Sequence, residues 1–323
     1  MKKDTPKPFE IQKNSIGMEF VWIPAGEFMM GRKTSLTELR RQHFGEIPSK
    51  DMIWWGEKDT KNEVPRHLVK ITKGFWMGRH EVTQAQYKAI MGKNPSFCRY
   101  KCLHCNKLVD PRVLKDNVFS EAMQNHPVED VTWFQTTEFC RKLGDKEGQE
   151  YSLPTEAQWE YACRAGTTTV FSFGDDYSKL GEYAWYNDNC EETTHPVGQK
   201  KPNAWGLFDM HGNVSEWCLD RFDPNSYTNK VAIDPVCSKA IKLKADLRVE
   251  RGGDILTNDM GCRSAKRGWF YNFHLFPGLA IGFRVICQNL EGATKVEKLK
   301  SGEAIKEVEP WNKGVDPRYR WKH

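Results

Sequence analysis

The rhythm of apolar positions changes several times along this chain, and the changes divide it. "MEFVWIPAGEFMMG", residues 18–31, alternates apolar and polar side chains and stops at Gly31, as a half-buried strand does. "HLVKITKGFWMGRHEVT", residues 67–83, reads as a pair of strands. The spacing then switches. Thr83 followed by "QAQYKAIMG" predicts a helix capped by the threonine hydroxyl. In "VTWFQTTEFCRKLGDKEG", residues 131–148, apolar side chains at 134, 139, 140 and 143 share one helical face. "SLPTEAQWEYACRAG", residues 152–166, predicts another helix, with Thr155 and Gln158 placed for a capping box.

The remainder has no such period. Residues 1–17 read as a loose lead-in, and 32–62 and 95–126 as irregular insertions. From about 167 to 287, short strands alternate with long loops rich in Gly, Asn, Asp and Pro. Residues 288–323 form a polar, charged tail that would wrap the domain or bind a partner. The domain is therefore expected over 18–287, with little regular structure for its length.

Composition narrows the function classes. The chain has 323 residues, enough for a sizeable core. Its net charge of +5 comes from 48 basic and 43 acidic residues, a mixture unlike the basic stripe of a nucleic-acid binder, so no nucleic-acid partner is expected. No apolar run is long enough to span a bilayer. The N-terminus has basic residues but no apolar stretch of the kind a signal peptide needs, so a cytoplasmic location is expected, with the ten cysteines as thiols. Twelve tryptophans are many, and such side chains belong in cores or on binding surfaces.

Seven strings occur in a fixed order: "IPAGEFMMG" (23–31), "EVTQAQY" (81–87), "HPVEDVTW" (126–133), "LPTEAQWEYACRAG" (153–166), "HPVGQKKPNAWGLFDMHGNVSEW" (195–217), "RGG" (251–253) and "GFRV" (282–285). Together they resemble the formylglycine-generating enzyme, or sulfatase-modifying factor, family. The resemblance implies an α+β domain with the C-type-lectin type of fold, sparse secondary structure and long packed loops. It does not by itself give a function. The family holds copper-dependent oxidases that convert a protein cysteine to formylglycine, iron-dependent sulfoxide synthases, and many non-catalytic relatives.

In the oxidases, two cysteines five residues apart follow the "GG" and bind Cu(I), an ion suited to soft thiolates. The matching positions here are Thr257 and Cys262. If the chain were an oxidase, or a related metal-dependent oxidoreductase acting on a protein cysteine, Cys262 would be its catalytic thiol. With threonine at 257, copper is not expected. The synthases' His-x3-His-x-Glu string is absent.

The segment between "RGG" and "GFRV" also resembles the varied region of diversity-generating-retroelement proteins. Asp254, Ile255, Leu256, Thr257, Phe270, Tyr271, Phe273, His274 and Leu275 stand where such relatives carry Asn codons altered at adenines, although Met260, Lys266 and Trp269 do not fit that scheme. With Trp269 added, these residues are the expected ligand-facing surface of a protein-binding module. The competing reading packs Ile255, Leu256, Phe273 and Phe276 inward. A further alternative is a subunit of a larger assembly, docked through the insertions or the tail.

Two metal sites are candidates. By resemblance, Asn213, Val214 and Glu216 in "GNVSEW" are calcium ligands, with hard oxygens suited to that ion; the same residues can instead tie the turn by hydrogen bonds. Cys98, Cys102 and Cys105, with His104 or His126, can supply a tetrahedral zinc site that staples an insertion. Their C-x3-C-x2-C spacing also occurs in radical-SAM enzymes, but the βα alternation those require is missing. His67, His80 and His195 are read as structural, and Lys242, Lys244 and Arg248 as a solvated face.

Overall fold

A computed structural model of the chain describes residues 6–34, 60–96, 123–238, 246–272 and 280–288, together with 38, 41, 100–101 and 108–109. In chain order the strands are β1 (Ile11–Lys13), β2 (Glu19–Ile23), β3 (Gly26–Met30), β4 (His67–Ile71) and β5 (Phe75–Gly78). Helix α1 (Gln84–Met91) follows, then β6 (Tyr100–Lys101), β7 (Leu108–Val109), α2 (Trp133–Glu147), β8 (Tyr151–Ser152), α3 (Glu156–Arg164) and α4 (Leu180–Tyr183). The last strands are β9 (Ser215–Arg221), β10 (Ala232–Ile233), β11 (Leu247–Arg251), β12 (Gly268–Tyr271), β13 (Ile281–Gly282) and β14 (Ile286–Cys287).

Helices begin where the side chains dictate. Thr83, Thr132 and Thr155 each accept the backbone N–H three residues on, and the glutamine there returns the bond, so all three long helices open with a capping box. Gly92 and Gly148 close α1 and α2 in the left-handed conformation. The strands pair less locally than the pattern suggests. The run 18–31 breaks at Pro24–Ala25 into β2 and β3, which enter different sheets. β4 and β5 both form but do not pair with each other: β4 lies between β10 and β3, and β5 between β2 and β14. The lead-in is less loose than expected, since β1 extends the five-stranded sheet β1-β2-β5-β14-β8 by pairing with β2.

A four-stranded sheet, β12-β11-β9-β13, carries the two framework strings. Arg251 of "RGG" ends β11, and Ile281–Gly282 runs parallel to β9. Trp76, Trp159 and Trp217 are fully buried, as are Phe20, Phe139 and Phe283. Trp217 donates its indole N–H to Val131 O at 2.8 Å, so its burial leaves no donor unsatisfied.

Charge is buried with the aromatics. Helix α3 is enclosed on every side, including Glu156, Glu160 and Arg164. Glu160 accepts from Arg164 Nε (2.8 Å), Gly31 N (2.9 Å) and Arg251. Glu156 holds Arg267 by two bonds, of 2.6 and 2.8 Å. Arg263 forks onto Glu63 at 2.8 and 3.0 Å. Arg284 of "GFRV" forks onto Glu216 at 2.6 Å twice. These pairs bind the loops to the helices and sheets, where a hydrophobic core alone has few regular elements to join. Arg248, expected on a solvated face, is buried instead: it donates to Leu219 O and its guanidinium lies 3.6 Å from the Trp133 ring centre, because that ring covers its plane.

Candidate functional site

The loop after β11 is set by its two glycines. Gly252 and Gly253 both take positive φ, and a Cβ on Gly253 would lie 3.0 Å from Gly261 O and 3.1 Å from Cys262 Sγ. The tight approach brings Thr257 to Cys262, as the resemblance to the oxidases' paired cysteines implies. Thr257 Oγ1 is 3.7 Å from Cys262 Sγ, and it also bonds Asp254 O at 2.9 Å. Cys262 Sγ points to Asn258 O at 3.4 Å. The sulfur is wholly enclosed, and burial pushes its thiol up, away from the thiolate form. One protonated thiol facing a hydroxyl does not fit Cu(I).

Below Cys262 lies His211. Its Nδ1–H donates to Cys262 O at 2.8 Å, while Nε2 accepts from Ser172 N at 3.1 Å. Burial lowers its pKa to about 4, and the nearby Arg164 adds to this. The ring is therefore a neutral strut with both nitrogens used. A folded value below the unfolded one gives stability that is present above pH 6.5 and lost as pH falls toward 4. This group should cost about 3 kcal/mol across that window. A His211→Gln variant is expected to be less stable at neutral pH but to show a shallower acid limb in chemical unfolding. An unchanged limb would remove His211 from the account.

Among the described residues, the expected ligand-facing side chains do not share one environment. Asp254 and Ile255 were expected to face a ligand, but both are buried. Asp254 accepts from Ser215 Oγ at 2.7 Å and from Leu256 N at 2.8 Å, which draws it into the turn. Ile255 packs with Cys190, Val214 and Ala280. Leu256 is 55% exposed and lies beside Thr257, whose carbonyl accepts from Asn187 N. Trp269 is also exposed, but it sits on β12 against Phe222 and Tyr271. Phe270 turns to the other face of β12 and packs with the Trp133 cluster. Phe273, His274 and Leu275 lie outside the described residues, as do Cys98, Cys102, His104 and Cys105 of the zinc candidate. His126 is described: it is buried and bonded through Nδ1 to Thr194 Oγ1 at 3.1 Å.

The calcium candidates sit in a charged pocket that the spacing alone did not reveal. Both Glu216 oxygens are committed to Arg284, and Oε2 also takes the Trp159 indole N–H at 2.8 Å. Asn213 spans Glu81 (2.9 Å) and His195 N (3.0 Å), while Val214 N donates to Glu81 Oε1 at 3.1 Å. Glu81 and Asp209 are fully buried near the same arginine. Burial raises the Glu81 carboxyl well above its usual range, and Asp209 and Glu216 add to it. Asp209 accepts from Gly198 N at 2.7 Å through Oδ2, but its buried Oδ1 has no hydrogen-bond partner. Three buried carboxylates thus share Arg284. Asp209 carries the unsatisfied hard oxygen, in a left-handed backbone conformation (φ 58°). Burial raises the Asp209 carboxyl to about 6, and among the described residues no group of three or more acidic, histidine or cysteine side chains is placed to hold a metal ion.

His67, His80 and His195, read as structural, each make contacts within the frame. His67 bonds Pro65 O, His80 stacks on Phe208, and His195 stacks on Trp185 with centroids 3.7 Å apart.

Comparison with known proteins agrees with this architecture. The family model described as "Sulfatase-modifying factor enzyme 1-like domain" matches residues 5–289. A formylglycine-generating enzyme of Streptomyces coelicolor is 35% identical over 150 residues, which cover 43% of this chain and 45% of that relative. The chain thus aligns with less than half of that relative's length. Among solved structures, Treponema denticola variable protein 1 superposes with a TM-score of 0.63 at 25% identity, covering 86% of this chain and 99% of the other. PvdO from Pseudomonas aeruginosa superposes with a TM-score of 0.61 at 25% identity, covering 88% and 100%. Among the described residues no helix is long and apolar enough to cross a membrane.

Proposed function

We propose that this chain, which belongs to the sulfatase-modifying factor enzyme 1-like family, is a non-catalytic member that binds a polypeptide through its loop surface. The observation that carries this reading is the Thr257–Cys262 contact. Position 257 meets the Cys262 sulfur at 3.7 Å, so the geometry for two converging ligands is kept while one of the two thiolates is replaced by a hydroxyl. Copper chemistry on a substrate cysteine needs soft ligands there, and a threonine hydroxyl supplies none. The likeness to a protein named a variable protein supports a fold whose frame tolerates altered loop side chains. Asp254 and Ile255, being buried, belong to the frame, which leaves Leu256 and its neighbours as the binding part of the loop.

Calcium is not part of this reading: both Glu216 oxygens are held by Arg284, both Glu81 oxygens by Asn213 and Val214 N, and among the described residues no group of three or more acidic, histidine or cysteine side chains is placed to hold a metal ion. A reducing, cytoplasmic setting suits the buried thiols of Cys140, Cys163, Cys190, Cys218 and Cys262.

Elemental mass spectrometry of the protein as isolated tests the reading. No stoichiometric copper or iron is expected. One copper per chain would overturn it.

A further inference from the structure

Beside the Thr257–Cys262 contact lies a surface that neither the fold nor the metal chemistry requires. Leu256 projects from the loop at 55% exposure. Tyr177 donates its hydroxyl to Met260 Sδ at 3.2 Å, which holds the ring against the 3-10 turn Asp259–Cys262. Tyr186 and Phe173 pack partly buried on the same cluster as Phe171 and Cys262. Asn187 N bonds Thr257 O at 3.1 Å and so joins the segment Tyr186–Asp188 to the Leu256 loop. The result is an apolar and aromatic face open to solvent on one side.

Its rim is acidic. Asp175 caps the turn of Phe173 by accepting Val170 N at 2.7 Å; Asp188 is exposed next to Asn187; Asp259 starts the turn that carries Met260. Among the described residues, Arg263 is buried on Glu63, and Lys179 faces Asp176 across 3.9 Å. A tyrosine face ringed by carboxylates attracts a guanidinium or ammonium both by charge and by the ring quadrupole, and Leu256 adds an apolar contact.

We propose that the face formed by Leu256, Met260, Tyr177 and Tyr186, with its rim of Asp175, Asp188 and Asp259, docks a basic segment of a partner polypeptide in which Lys or Arg alternates with apolar residues. The inference rests on the binding-module reading above and names its ligand chemistry. The acidic rim steers association, so binding weakens as salt rises.

The test uses the full chain and three labelled dodecapeptides: Arg/Leu alternating, Glu/Leu alternating and Ser/Leu alternating. Fluorescence anisotropy should show the Arg/Leu peptide binding at least about tenfold more tightly than the other two. Leu256→Ala and Asp188→Lys, both exposed changes, should each weaken it by about tenfold or more, while Ile233→Ala, exposed on β10, leaves it unchanged. Circular dichroism confirms that the variants fold. If the three peptides bind equally and Leu256→Ala still weakens them, the basic ligand is wrong but the binding surface stands. If the Arg/Leu peptide binds with an affinity that neither Leu256→Ala nor Asp188→Lys changes, or does not bind, the proposal is overturned. The metal content of the isolated protein then judges the binding-module reading independently.

Discussion

Glu160→Ala is expected to destabilise the chain by about 3–5 kcal/mol, the scale for removing one partner of a buried ion pair. Its carboxylate is fully enclosed and receives bonds from Arg164, Arg251 and Gly31 N. Burial alone would raise its pKa, but Arg164 and Arg251 together hold it below the usual range. Deleting it leaves two guanidiniums buried with one acceptor fewer: Arg251 retains Glu156 at 3.2 Å, and Arg164 retains only carbonyls. A domain has about 5–15 kcal/mol in total, so the variant stands near the limit of folding. The contrast is Glu138→Ala. Its pair with Arg141 is exposed on α2, and its loss should cost less than about 1 kcal/mol. Urea unfolding of the two variants checks this. Equal losses would mean that the buried network is not what holds the loops.

The second large effect is a gain. Thr257→Cys places a thiol beside Cys262 at the position where Oγ1 is now 3.7 Å from that sulfur. Two converging thiols can lose their protons to solvent and bind Cu(I) as a pair of thiolates, which a thiol and a hydroxyl cannot do. Titration against a competing chelator should show Cu(I) affinity rising by at least about a hundredfold over the natural chain, with one copper per protein. Thr257 also ties the turn through its bond to Asp254 O, so a small loss of thermal stability without copper is expected. If the natural chain bound Cu(I) as tightly as the variant, Thr257 would not be what keeps copper out.

The sequence was most informative where a local rule acts. Thr83 and Thr155 were readable as caps because a hydroxyl and a glutamine three residues on suffice to satisfy a helix start. The resemblance pairs Thr257 with Cys262, and the structure brings them together after two glycines of positive φ. The ordered strings carried the family, and the model match over 5–289 bears that out. Pairings over long separations were not readable. β4 and β5 look like a hairpin, yet each finds its partners elsewhere, through contacts no local pattern encodes. Arg248 reads as a surface cation, and nothing local in the sequence marks Glu156, Glu160 and Arg164 as buried, because hydropathy cannot show that another element supplies the opposite charge or an aromatic cover. Asp254 and Ile255 read as exposed for the same reason: Ser215 and the Cys190–Val214–Ala280 cluster, which draw them in, lie far off in sequence.

The central claim is that this member of the family binds without catalysis. Its most direct test is to incubate the natural chain with Cu(I), air and a cysteine-containing peptide, and to follow the peptide by mass spectrometry and aldehyde trapping. The account predicts that the thiol is recovered unchanged, at the rate of a control without protein. Catalytic appearance of an aldehyde, lost on Cys262→Ser, would contradict it and make Cys262 a working copper ligand.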